Sequence, residues 1–476
     1  MRYSPLLTDL YELTMLAGYL EHGMHERPAV FDLFFRQNPF QGGYAVFAGL
    51  EPALTYLEEL SFGADDLNYL DGLKLFRPGF LPYLETFRFR GSVSAPAEGT
   101  VVFAREPLVT IEGGLAEAQF VETALLNIIN FQTLVATKAA RINRAAGAAT
   151  VLEFGLRRAQ GPDGGLSEAR AAYVGGVRST SNVLAGKTYG IPVMGTHAHS
   201  WIMAFPDELT AFRRYAETFP DRCVLLIDTY DTLKSGLPNA LTVAAELKAS
   251  GHALAGVRID SGDLAYLSRQ VRAGLDAAGF AGVKIVASNE LDEYVIESIR
   301  AEGGKVDIYG VGTRLATCAG AGGGALGGVY KLVRIGDEPK LKLTSDVSKA
   351  TIPDRKRLLR AVAPDGSFVQ DVITRAGETI HPGDLVYDPA NPLQKVHIPP
   401  QAQLIEVRSR VMENGARCTP APSLAGCADR CQKELNRLPD GCHRFVNPHA
   451  YKVSISDGLN KLRLKLLQEV QRKFQD

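Results

Sequence analysis

The chain has 476 residues, which is too long for one ordinary domain and favours two or three domains built around at least one large core. Its 52 lysines and arginines nearly cancel its 53 aspartates and glutamates, which argues against nucleic-acid or membrane-surface binders that depend on a global basic field. The six cysteines are sparse, as in proteins of a reducing compartment, so we expect a cytoplasmic protein with no nucleic-acid or membrane partner.

The first 135 residues mix helical patterns with strand-like runs such as AVFDLFFR and GTVVFAREPLVTIEG, and they predict an α+β domain. Asp9 and Glu12 interrupt the apolar pattern near the start of the chain, which argues against a signal peptide. The longest apolar stretch is TALLNIINFQTLVAT at 123–137. Its length suits a buried helix better than a membrane span.

From about residue 150 the sequence alternates short aliphatic runs, polar or glycine-rich turns and helical patterns, which indicates βα units. Most runs lie about 20 to 40 residues apart, which is typical of a parallel barrel or a doubly wound sheet. The runs are TVLEFG (150–155), IPVMG (191–195), CVLLID (223–228), ALAGVRID (253–260), VKIVAS (283–288) and VDIYGVG (306–312).

The last part of the chain changes character after the glycine-rich segment CAGAGGGALGG at 318–328. The following VYKLVRIGDEPKLKLT predicts a β-hairpin with Gly336 and Asp337 at its turn. The chain ends in the pattern of an amphipathic helix, whose apolar stripe consists of Leu459, Leu462, Leu466, Leu467 and Val470.

Four of the six cysteines lie close together in the C-terminal region, which raises the question of a structural zinc site. They are Cys418, Cys427, Cys431 and Cys442. Only Cys427 and Cys431 approach the spacing of a zinc-binding pair, and their separation is equally that of small side chains packed on one face of a helix. Zinc and disulfides are therefore the less favoured interpretations.

Nearly every aliphatic run of the βα region ends in charged, polar or glycine residues, where parallel α/β folds place their active sites. A single strand-end Asp or Ser is more often a helix N-cap, and Ser261 is expected to be one. Taken together, the cations, carboxylates, aromatic rings and glycine turns favour an anionic substrate and catalysis. The set is Glu153, Phe154, Arg157, Thr196, His197, His199, Ser200, Asp228, Tyr230, Arg258, Asp260, Asp263, Ser288, Asn289, Gly310, Gly312 and Thr313.

The ends of the later runs point to phosphate. In GVGT at 310–313 the glycines free backbone N–H groups and the threonine adds a hydroxyl, and barrels often hold phosphate in their last loops. In RIDSGD at 258–263, Arg258 can grip an anion while Asp260 or Asp263 engages ribose hydroxyls or Mg²⁺. These motifs together predict a phosphorylated sugar bound with a metal ion.

One family carries the same motifs in the same order: LLTDLYELTM, FDLFFRQNPFQGGYAVFAGL, EFGLRRAQGPDGG, STSNVLAG, GTHAHS, DTYDT, VRIDSGDL, ASNELDE, GVGT and LGGVYKL. The chain resembles nicotinate phosphoribosyltransferases from about residue 6 to residue 360, and only loosely beyond. The resemblance implies an α/β fold, an irregular α/β barrel of the type II phosphoribosyltransferases beside an α/β sandwich domain. We accordingly expect residues 136–328 to form the catalytic barrel, and residues 1–135 and 329–476 to form the sandwich domain and a C-terminal extension.

The resemblance also implies the reaction. Members of the family join nicotinate to 5-phosphoribosyl-1-pyrophosphate, giving nicotinate mononucleotide and pyrophosphate in the biosynthesis and salvage of NAD, with coupled ATP hydrolysis through a phosphorylated histidine. The expected co-substrate is ATP, the expected metal is Mg²⁺, and the expected assembly is a homodimer with shared active sites. The nicotinate nitrogen is itself the nucleophile, so no nucleophilic triad is required, and none is visible in the sequence.

Carried over by position, the resemblance implies that Phe154 stacks on the pyridine ring and that Tyr11 of the partner subunit closes the other side. Arg157 and Arg258 would face the substrate carboxylate and the pyrophosphate or ribose, and Asp260 and Asp263 the ribose and Mg²⁺. The 5-phosphate would be held by Ser288, Asn289, Gly310, Gly312 and Thr313. Ser181, Asn182 and Thr196 complete the expected substrate contacts.

The histidine motif GTHAHS resembles the family pattern G-T-x-A-H-S, in which the third position varies. His197 falls at the variable position, so His199 is the expected phosphate acceptor. Asp228 would then be the carboxylate that orients the imidazole of His199, as carboxylates do at other histidine sites.

Three alternatives stay open from the sequence. A nicotinamide phosphoribosyltransferase would have the same architecture, but its relatives place an Asp at position 182, where this chain has Asn182. A phosphate-binding barrel with aldol or isomerase chemistry would need a Schiff-base lysine or a strand-end glutamate, for which Lys138 and Glu153 are the candidates. A noncatalytic scaffold that kept the fold would not need the intact set of motif residues.

Overall fold

The computed structural model describes residues 3–342, 350–391 and 394–472. The chain divides into two compact units, which we call the sandwich unit and the barrel unit. The sandwich unit combines the residues up to Leu134 with those from Ala325 onward, and the barrel unit runs from Val135 to Gly324. The limits expected from the sequence were 135 and 328.

The N-terminal part of the sandwich unit alternates helices with short strands. Its elements are α1 (Leu10–Glu21), β1 (Pro28–Phe34), β2 (Ala45–Val46), α2 (Leu50–Glu59), α3 (Ala64–Gly72), α4 (Phe80–Glu85), β3 (Ser92–Ala95), β4 (Val101–Val102), β5 (Val109–Gly114) and α5 (Leu115–Phe120). Both strand-like runs predicted there form strands, and α6 (Glu122–Ala146) follows.

The apolar stretch 123–137 lies within α6. Helices α5 and α6 together, Leu115–Ala146, are long and apolar enough to cross a membrane by length and composition alone. However, 67% of their apolar window is buried inside the protein, which is typical of a core helix.

The barrel unit repeats strand and helix. After α6 come β6 (Thr150–Glu153), α7 (Gly161–Val174), α8 (Val183–Tyr189), α9 (His199–Met203), α10 (Glu208–Thr218), β7 (Val224–Leu226), α11 (Leu237–Ala249), β8 (Gly256–Ile259), α12 (Leu264–Ala277), β9 (Lys284–Ser288), α13 (Glu293–Ala301), β10 (Ile308–Val311) and α14 (Thr313–Ala316). Five of the six predicted aliphatic runs are strands, and all five pair in parallel in the order β6-β10-β9-β8-β7.

The sixth predicted run, IPVMG at 191–195, is not a strand. It makes only a single parallel bridge, Thr180 to Val193, while Glu153 bridges to Thr180 on the other side. Pro192 has no N–H to donate, and residues 192–195 are exposed, so this run lacks both the hydrogen bonds and the burial of a central strand. Beyond β6 the strand pairing therefore continues only through these two single bridges, which makes the barrel irregular.

A side chain bridges the thinnest part of the barrel wall. The backbone N–H of Leu226, in β7, donates to Nε2 of His197 at 3.2 Å, where a neighbouring strand would offer a carbonyl. The sheet order and these bridges confirm the expected irregular α/β barrel.

The C-terminal part returns to the sandwich unit. It contains β11 (Val329–Ile335), β12 (Glu338–Pro339), β13 (Lys356–Val362), β14 (Phe368–Arg375), β15 (Leu385–Tyr387), β16 (Lys395–His397), β17 (Gln403–Glu406), β18 (Ser409–Glu413), β19 (Ala416–Arg417), α15 (Leu424–Leu435), β20 (Lys452–Ser456) and α16 (Asp457–Arg472). The predicted hairpin is present, since Ile335 pairs with Glu338 across Gly336 and Asp337. Gly336 has a φ of 55°, which suits glycine at the turn.

The described strands of the sandwich unit form two large sheets. One has the order β12-β11-β1-β5-β3-β18-β19, and the other β16-β15-β20-β14-β13-β17. The first sheet mixes strands from both ends of the chain, because β1 lies between β5 and β11. On α16, Leu459 and Leu467 of the predicted stripe are buried, and Leu459 packs with Leu358, Ile373 and Ile455 of the second sheet.

Candidate active site

The carboxyl ends of the five parallel strands bring the predicted residues to one edge of the barrel sheet. Arg258 lies near the end of β8 and is the centre of the cluster. Its Nε donates to Oγ of Ser288 at 2.9 Å, one terminal nitrogen donates to Oγ1 of Thr196 at 2.8 Å, and the other reaches Oδ1 of Asp260 at 3.0 Å. Only 12% of its side chain is exposed. The guanidinium is therefore held mainly by protein groups.

Asp260 is an ionised partner of this guanidinium. Burial by itself would raise the pKa of Asp260, but the Ser288 hydroxyl and the charge of Arg258 outweigh it and lower that pKa. Ser288 donates to Oδ1 of Asp260 while accepting from Arg258, so its hydroxyl is fully used within the protein. The Ser288 hydroxyl therefore bonds Arg258 and Asp260, and its role in holding the 5-phosphate stays a prediction.

His199 is the first residue of α9, and its imidazole is 41% exposed. Its Nδ1 lies 3.1 Å from Oγ1 of Thr229, and its Nε2 lies 3.8 Å from Oδ2 of Asp260. The accessible ring and the carboxylate near Nε2 leave His199 able to react with an incoming group.

The expected pairing of Asp228 with His199 is wrong. Oδ2 of Asp228 accepts from the backbone N–H of Asp260 at 2.8 Å and from the hydroxyl of Ser261 at 2.6 Å. Since β7 and β8 are neighbours, a carboxylate just beyond β7 reaches the loop that follows β8. Asp228 thus orders that loop, whereas the next residue, Thr229, contacts the imidazole. Ser261 is not the predicted cap of α12; Asp263 caps that helix.

His197 has a structural place in the barrel wall. It is 8% exposed, accepts from Leu226 through Nε2, and stacks edge-on with Tyr215 at 4.6 Å between ring centroids. Burial lowers the pKa of His197 to about 4, so the ring is neutral at physiological pH. Its carbonyl also accepts from Arg258 at 3.4 Å, which links the wall to the central guanidinium.

Phe154 and the glycines of GVGT form one unit. A Cβ on Gly310 would lie 2.5 Å from Cε2 and 2.6 Å from Cδ2 of Phe154, so the ring rests directly on the backbone of β10. A Cβ on Gly312 would lie 2.9 Å from the Phe154 carbonyl oxygen. The guanidinium carbon of Arg258 lies 5.9 Å from the centre of the Phe154 ring. Gly310 therefore makes room for Phe154, rather than serving chiefly as a phosphate-binding turn.

Two of the expected phosphate-binding residues remain accessible. Asn289 is exposed in the left-handed region, with a φ of 97°, and Thr313 begins the four-residue α14. The hydroxyl of Thr313 donates to Oε1 of Glu290 at 3.3 Å, and Nε of Arg314 lies 3.7 Å from the other oxygen of Glu290. The Glu290 carboxylate thus occupies the Thr313 hydroxyl, one of the donors predicted to bind phosphate, together with Arg314.

Asn182 does not face a substrate. It is 2% exposed, its Oδ1 caps α8 by accepting from the N–H of Ala185 at 3.1 Å, and its Nδ2 donates to the carbonyl of Gly165 at 3.2 Å. Both ends of the amide therefore stabilise the fold, and a substrate contact by Asn182 stays a prediction. Ser181 donates its backbone N–H to the Glu153 carbonyl at 2.9 Å, and its side chain is partly exposed.

Arg157 and Tyr11 are both exposed. Arg157 lies in a short 3₁₀ turn after β6 and forms no hydrogen bond or ion pair with the residues that the structure describes. Tyr11 lies on α1 of the sandwich unit with 45% exposure, and partial burial, against a weaker opposing effect from the Thr123 hydroxyl, raises its pKa to about 12. Its phenol is therefore neutral at physiological pH.

The structure does not gather a metal site in advance. Over residues 3–342, 350–391 and 394–472, no three His, Cys, Asp or Glu side chains converge in a way that could hold a metal ion. Oδ1 of Asp263 accepts from the N–H of Tyr266 at 2.9 Å. Cys427, Cys431 and Cys442 are buried as free thiols, and Cys418 is exposed.

Sequence reasoning missed Thr229 and a second cationic region. Thr229 lies inside the motif DTYDT, directly after Asp228, and this position was the only sequence signal for its contact with His199. In the sandwich unit, a cavity of about 210 Å³ is lined by Arg36, Arg105, Lys356 and Arg463 together with Asp32. Arg36 belongs to a quoted motif, but the other basic residues are scattered along the chain and carry no common pattern.

Comparison with known proteins covers nearly the whole chain. Family models described as the nicotinate phosphoribosyltransferase N-terminal domain, family and C-terminal domain match residues 6–130, 149–361 and 355–463. The nicotinate phosphoribosyltransferase of Bacillus subtilis is 41% identical over 478 residues, covering 99% of this chain and 96% of the relative.

Solved structures agree with the sequence relatives. The crystal structure of human nicotinic acid phosphoribosyltransferase has a TM-score of 0.86 at 34% identity, covering 96% of this chain and 99% of that one. The structure of a nicotinate-nucleotide pyrophosphorylase from Pyrococcus furiosus has a TM-score of 0.71 at 23% identity, covering 91% and 95%. The second likeness shows the fold alone.

Proposed function

Because the chain belongs to the nicotinate phosphoribosyltransferase family, we propose that it joins nicotinate to 5-phosphoribosyl-1-pyrophosphate to form nicotinate mononucleotide and pyrophosphate. The observation that carries the proposal is the cluster at the barrel mouth, in which Arg258, Asp260 and His199 converge beside Phe154. The reaction would serve NAD biosynthesis, and it is ATP-coupled and therefore of the ligase type.

In the proposed reaction the protein positions the substrates, and none of its side chains attacks the sugar. Displacement at the anomeric carbon develops oxocarbenium-like charge, so carboxylates near the ribose stabilise the transition state. Asp260 is ionised and lies beside the mouth, so it suits that role. Phe154 offers a flat apolar face against which the pyridine ring can stack with its nitrogen aimed at the sugar.

Mg²⁺ would neutralise the pyrophosphate as it leaves. Oxygen ligands suit Mg²⁺, which usually keeps several waters and binds through one or two carboxylates. Oδ1 of Asp260 serves Arg258 and Ser288, while Oδ2 faces His199 at 3.8 Å and can take a cation. Asp263 uses Oδ1 as a helix cap and has an exposed carboxylate. We propose Asp260 as the main ligand and Asp263 as the second.

We propose His199 as the phosphate acceptor in the coupled hydrolysis of ATP. A neutral imidazole is nucleophilic near physiological pH, and a phosphoramidate is reactive enough to be hydrolysed in each turnover. The half-exposed ring of His199 supports this assignment, whereas His197 is buried in the wall with both nitrogens engaged.

Replacing His199 tests the coupling. His199→Ala should abolish ATP hydrolysis and leave a slower, ATP-independent transfer, because the substrate nitrogen is the nucleophile. An acid-labile, base-stable phosphate should form on the wild-type protein and be missing from His199→Ala. His197→Gln is the matched control and should keep the label. Label that persists in His199→Ala would contradict the assignment.

Nicotinate rather than nicotinamide is proposed as the substrate on the strength of the family and of Arg157. That arginine is exposed next to the Phe154 turn, where a guanidinium would pair with a carboxylate. Asn182 no longer bears on the choice, because its amide is used inside the fold. Turnover of the two pyridines, followed by pyrophosphate release, separates these substrates and also separates an enzyme from a noncatalytic scaffold.

The aldol or isomerase alternative is not favoured, because neither of its candidate residues is available for that chemistry. Nζ of Lys138 lies 2.6 Å from Oε2 of Glu293 with no exposed side-chain surface, so this lysine is not available to form a Schiff base. Glu153 is 1% exposed and accepts from Gly155 and Thr180, so it is not placed to take a proton from a substrate.

We also propose a cytoplasmic homodimer with shared active sites. Val183, Leu184, Val193 and Met194 are exposed large apolar side chains near the barrel mouth, and a Cβ on Gly186 would touch Val193, so α8 packs beside that segment. Contiguous apolar patches of this kind are typical of protein interfaces. We propose that Tyr11, which is exposed on α1, closes the partner's site.

A further inference from the structure

Two buried carboxyl groups face each other beneath the Phe154 turn. Glu153, at the end of β6, is 1% exposed, and Glu168, in the middle of α7, is fully buried. A Cβ placed on Gly155 would lie 3.0 Å from an oxygen of Glu153 and 3.3 Å from an oxygen of Glu168, so the two groups flank the same backbone position. Both oxygens of Glu168 are buried and lack a hydrogen-bond partner among the described residues.

This pair must carry a proton. Two ionised carboxylates in a buried contact would repel strongly, and a carboxylate–carboxylate hydrogen bond needs a hydrogen between the oxygens. Burial raises the pKa of Glu153, and the hydrogen bonds that it accepts from the Thr180 hydroxyl and the Gly155 N–H partly offset that rise by favouring its ionised form. Glu168 has no such donors among the described residues, and burial followed by the charge of Glu153 holds its pKa well above its usual range.

The surrounding charges do not alter this assignment. The thiol of Cys318, just after α14, donates to the Leu315 carbonyl at 3.6 Å, and burial raises the pKa of that thiol to about 12, so it stays neutral. Beyond it, Lys138 of α6 is paired with Glu293 of α13 at 2.6 Å, and Arg141 donates to the same carboxylate at 2.9 Å. Both of these cations are therefore paired with Glu293.

The pair ties together two turns of the candidate site. One oxygen of Glu153 holds the N–H of Gly155, directly after Phe154, and the other holds the Thr180 hydroxyl, which in turn accepts from the N–H of Asn182 at 2.8 Å. The Phe154 N–H donates to the Val311 carbonyl at 2.8 Å, which seats the ring over β10. The position of Phe154 thus depends on the orientation of the Glu153 carboxylate.

We propose that Glu168 is a positioning residue that remains protonated in the working protein and donates a hydrogen bond to Glu153, thereby fixing the Phe154–Gly155 turn and the Thr180–Asn182 turn against each other. Its consequence for catalysis rests on the proposed function, in which Phe154 stacks on the pyridine ring. Ionising or removing the donor releases Glu153 and loosens the aromatic platform, while the Arg258 cluster keeps its own contacts.

Infrared difference spectroscopy tests the proton without any turnover. The wild-type spectrum minus that of Glu168→Gln at neutral pH should contain the C=O stretching band of a buried carboxylic acid. Glu208→Gln is the matched control, because Glu208 is buried in the same unit but, unlike Glu168, accepts from the Asn239 amide at 2.9 Å and from the Ser235 hydroxyl. Its difference spectrum should show only carboxylate bands. If the acid band is missing for Glu168→Gln, the proposal is overturned, whether or not the protein uses nicotinate.

Kinetics test the positioning. Glu168→Gln keeps an N–H donor and should have near-wild-type KM values at neutral pH, but it should lose the alkaline rise in the KM for nicotinate that the wild-type protein shows as the pair ionises. Glu168→Ala removes the donor and should raise the KM for nicotinate on the order of 10-fold with little change in the KM for the sugar donor, since misplacing one contact group is costly. A uniform change in both KM values, or an unchanged alkaline limb in Glu168→Gln, would refute the positioning role.

Discussion

Gly310→Ala is the substitution that most directly tests the placement of Phe154. Position 310 lies inside β10, and the added methyl carbon would come within 2.5 Å of the Phe154 ring. Carbon atoms in good contact lie about 3.5–4.0 Å apart, so the ring must retreat by about 1 Å or the strand must bend. Gly310 has an ordinary negative φ, so alanine meets no backbone strain and the clash is the whole effect.

The expected cost has two parts. Overpacking of this kind destabilises a core by about 1–3 kcal/mol, partly offset by about 0.4–1 kcal/mol from the smaller entropy of the unfolded chain. We therefore expect a net loss of about 1–2 kcal/mol in the free energy of unfolding. A displacement of about 1 Å in a group that positions the substrate lowers kcat/KM on the order of 100-fold. The activity loss should thus greatly exceed what the stability loss predicts.

The assay compares denaturant unfolding with kcat/KM for nicotinate in three variants. Gly282→Ala is the matched control, because Gly282 lies in the same unit with no heavy atom within 4 Å of the added Cβ, and it should be neutral. Phe154→Leu combined with Gly310→Ala should recover stability relative to Gly310→Ala, because the shorter side chain relieves the clash, and it should not recover activity. Full activity in Gly310→Ala would refute the idea that the seating of this ring matters for the reaction.

Two further substitutions test the structural roles of Asn182 and His197. Asn182→Asp keeps the oxygen that caps α8 but replaces the donor to the Gly165 carbonyl with a second oxygen. It should therefore destabilise the protein by about 1–3 kcal/mol and leave the nicotinate-to-nicotinamide ratio of kcat/KM unchanged. A selective shift in that ratio would support Asn182 as a substrate contact. His197, whose pKa is lowered to about 4, binds a proton in the unfolded chain before it does so in the folded one, so the free energy of unfolding should fall as the pH drops from about 6.5 to about 4, by up to about 3 kcal/mol. His197→Gln should flatten that part of the pH profile, and a slope that survives the substitution would assign it to other groups.

The strands of the barrel could be predicted because their signal is local. Runs such as CVLLID and VKIVAS are short, β-branched and aliphatic, and each ends in a turn, so each reads as a buried parallel strand. The run IPVMG shows the limit of that signal. Its composition is that of a strand, but it pairs only through a single bridge from Val193 to Thr180. The number of partners that a strand finds is set by tertiary structure.

The site was predictable as a set but less so in its pairings. That Arg258, Asp260, Ser288 and Thr196 would meet follows from strand order, since strand ends at one edge of a parallel sheet are neighbours. Which side-chain atoms bond to each other depends on differences of a few ångströms in how far each loop extends beyond its strand. Asp228 therefore reached the loop after β8 instead of His199. The Glu153–Glu168 pair lay beyond prediction, because it joins a strand end to the middle of a helix.

The carboxylates of the site decide which contacts an incoming phosphate can take over. Arg258 and Asp260 form a pair whose side chains are 12% and 25% exposed, and Ser288 and Thr196 brace it, so breaking it would strand a largely buried charge. Arg314 and Glu290 form the opposite kind of pair, 43% and 58% exposed at 3.7 Å, and such surface pairs contribute only about 0–1 kcal/mol. An anion that binds beside Thr313 therefore displaces Glu290 at little cost in free energy. It accepts from the same two donors, the Thr313 hydroxyl and the Arg314 guanidinium, and carries at least as much negative charge as the Glu290 carboxylate. We accordingly expect the 5-phosphate to bind at Thr313, Arg314 and Asn289, and Arg258 to act mainly by holding Asp260 and Ser288 in place.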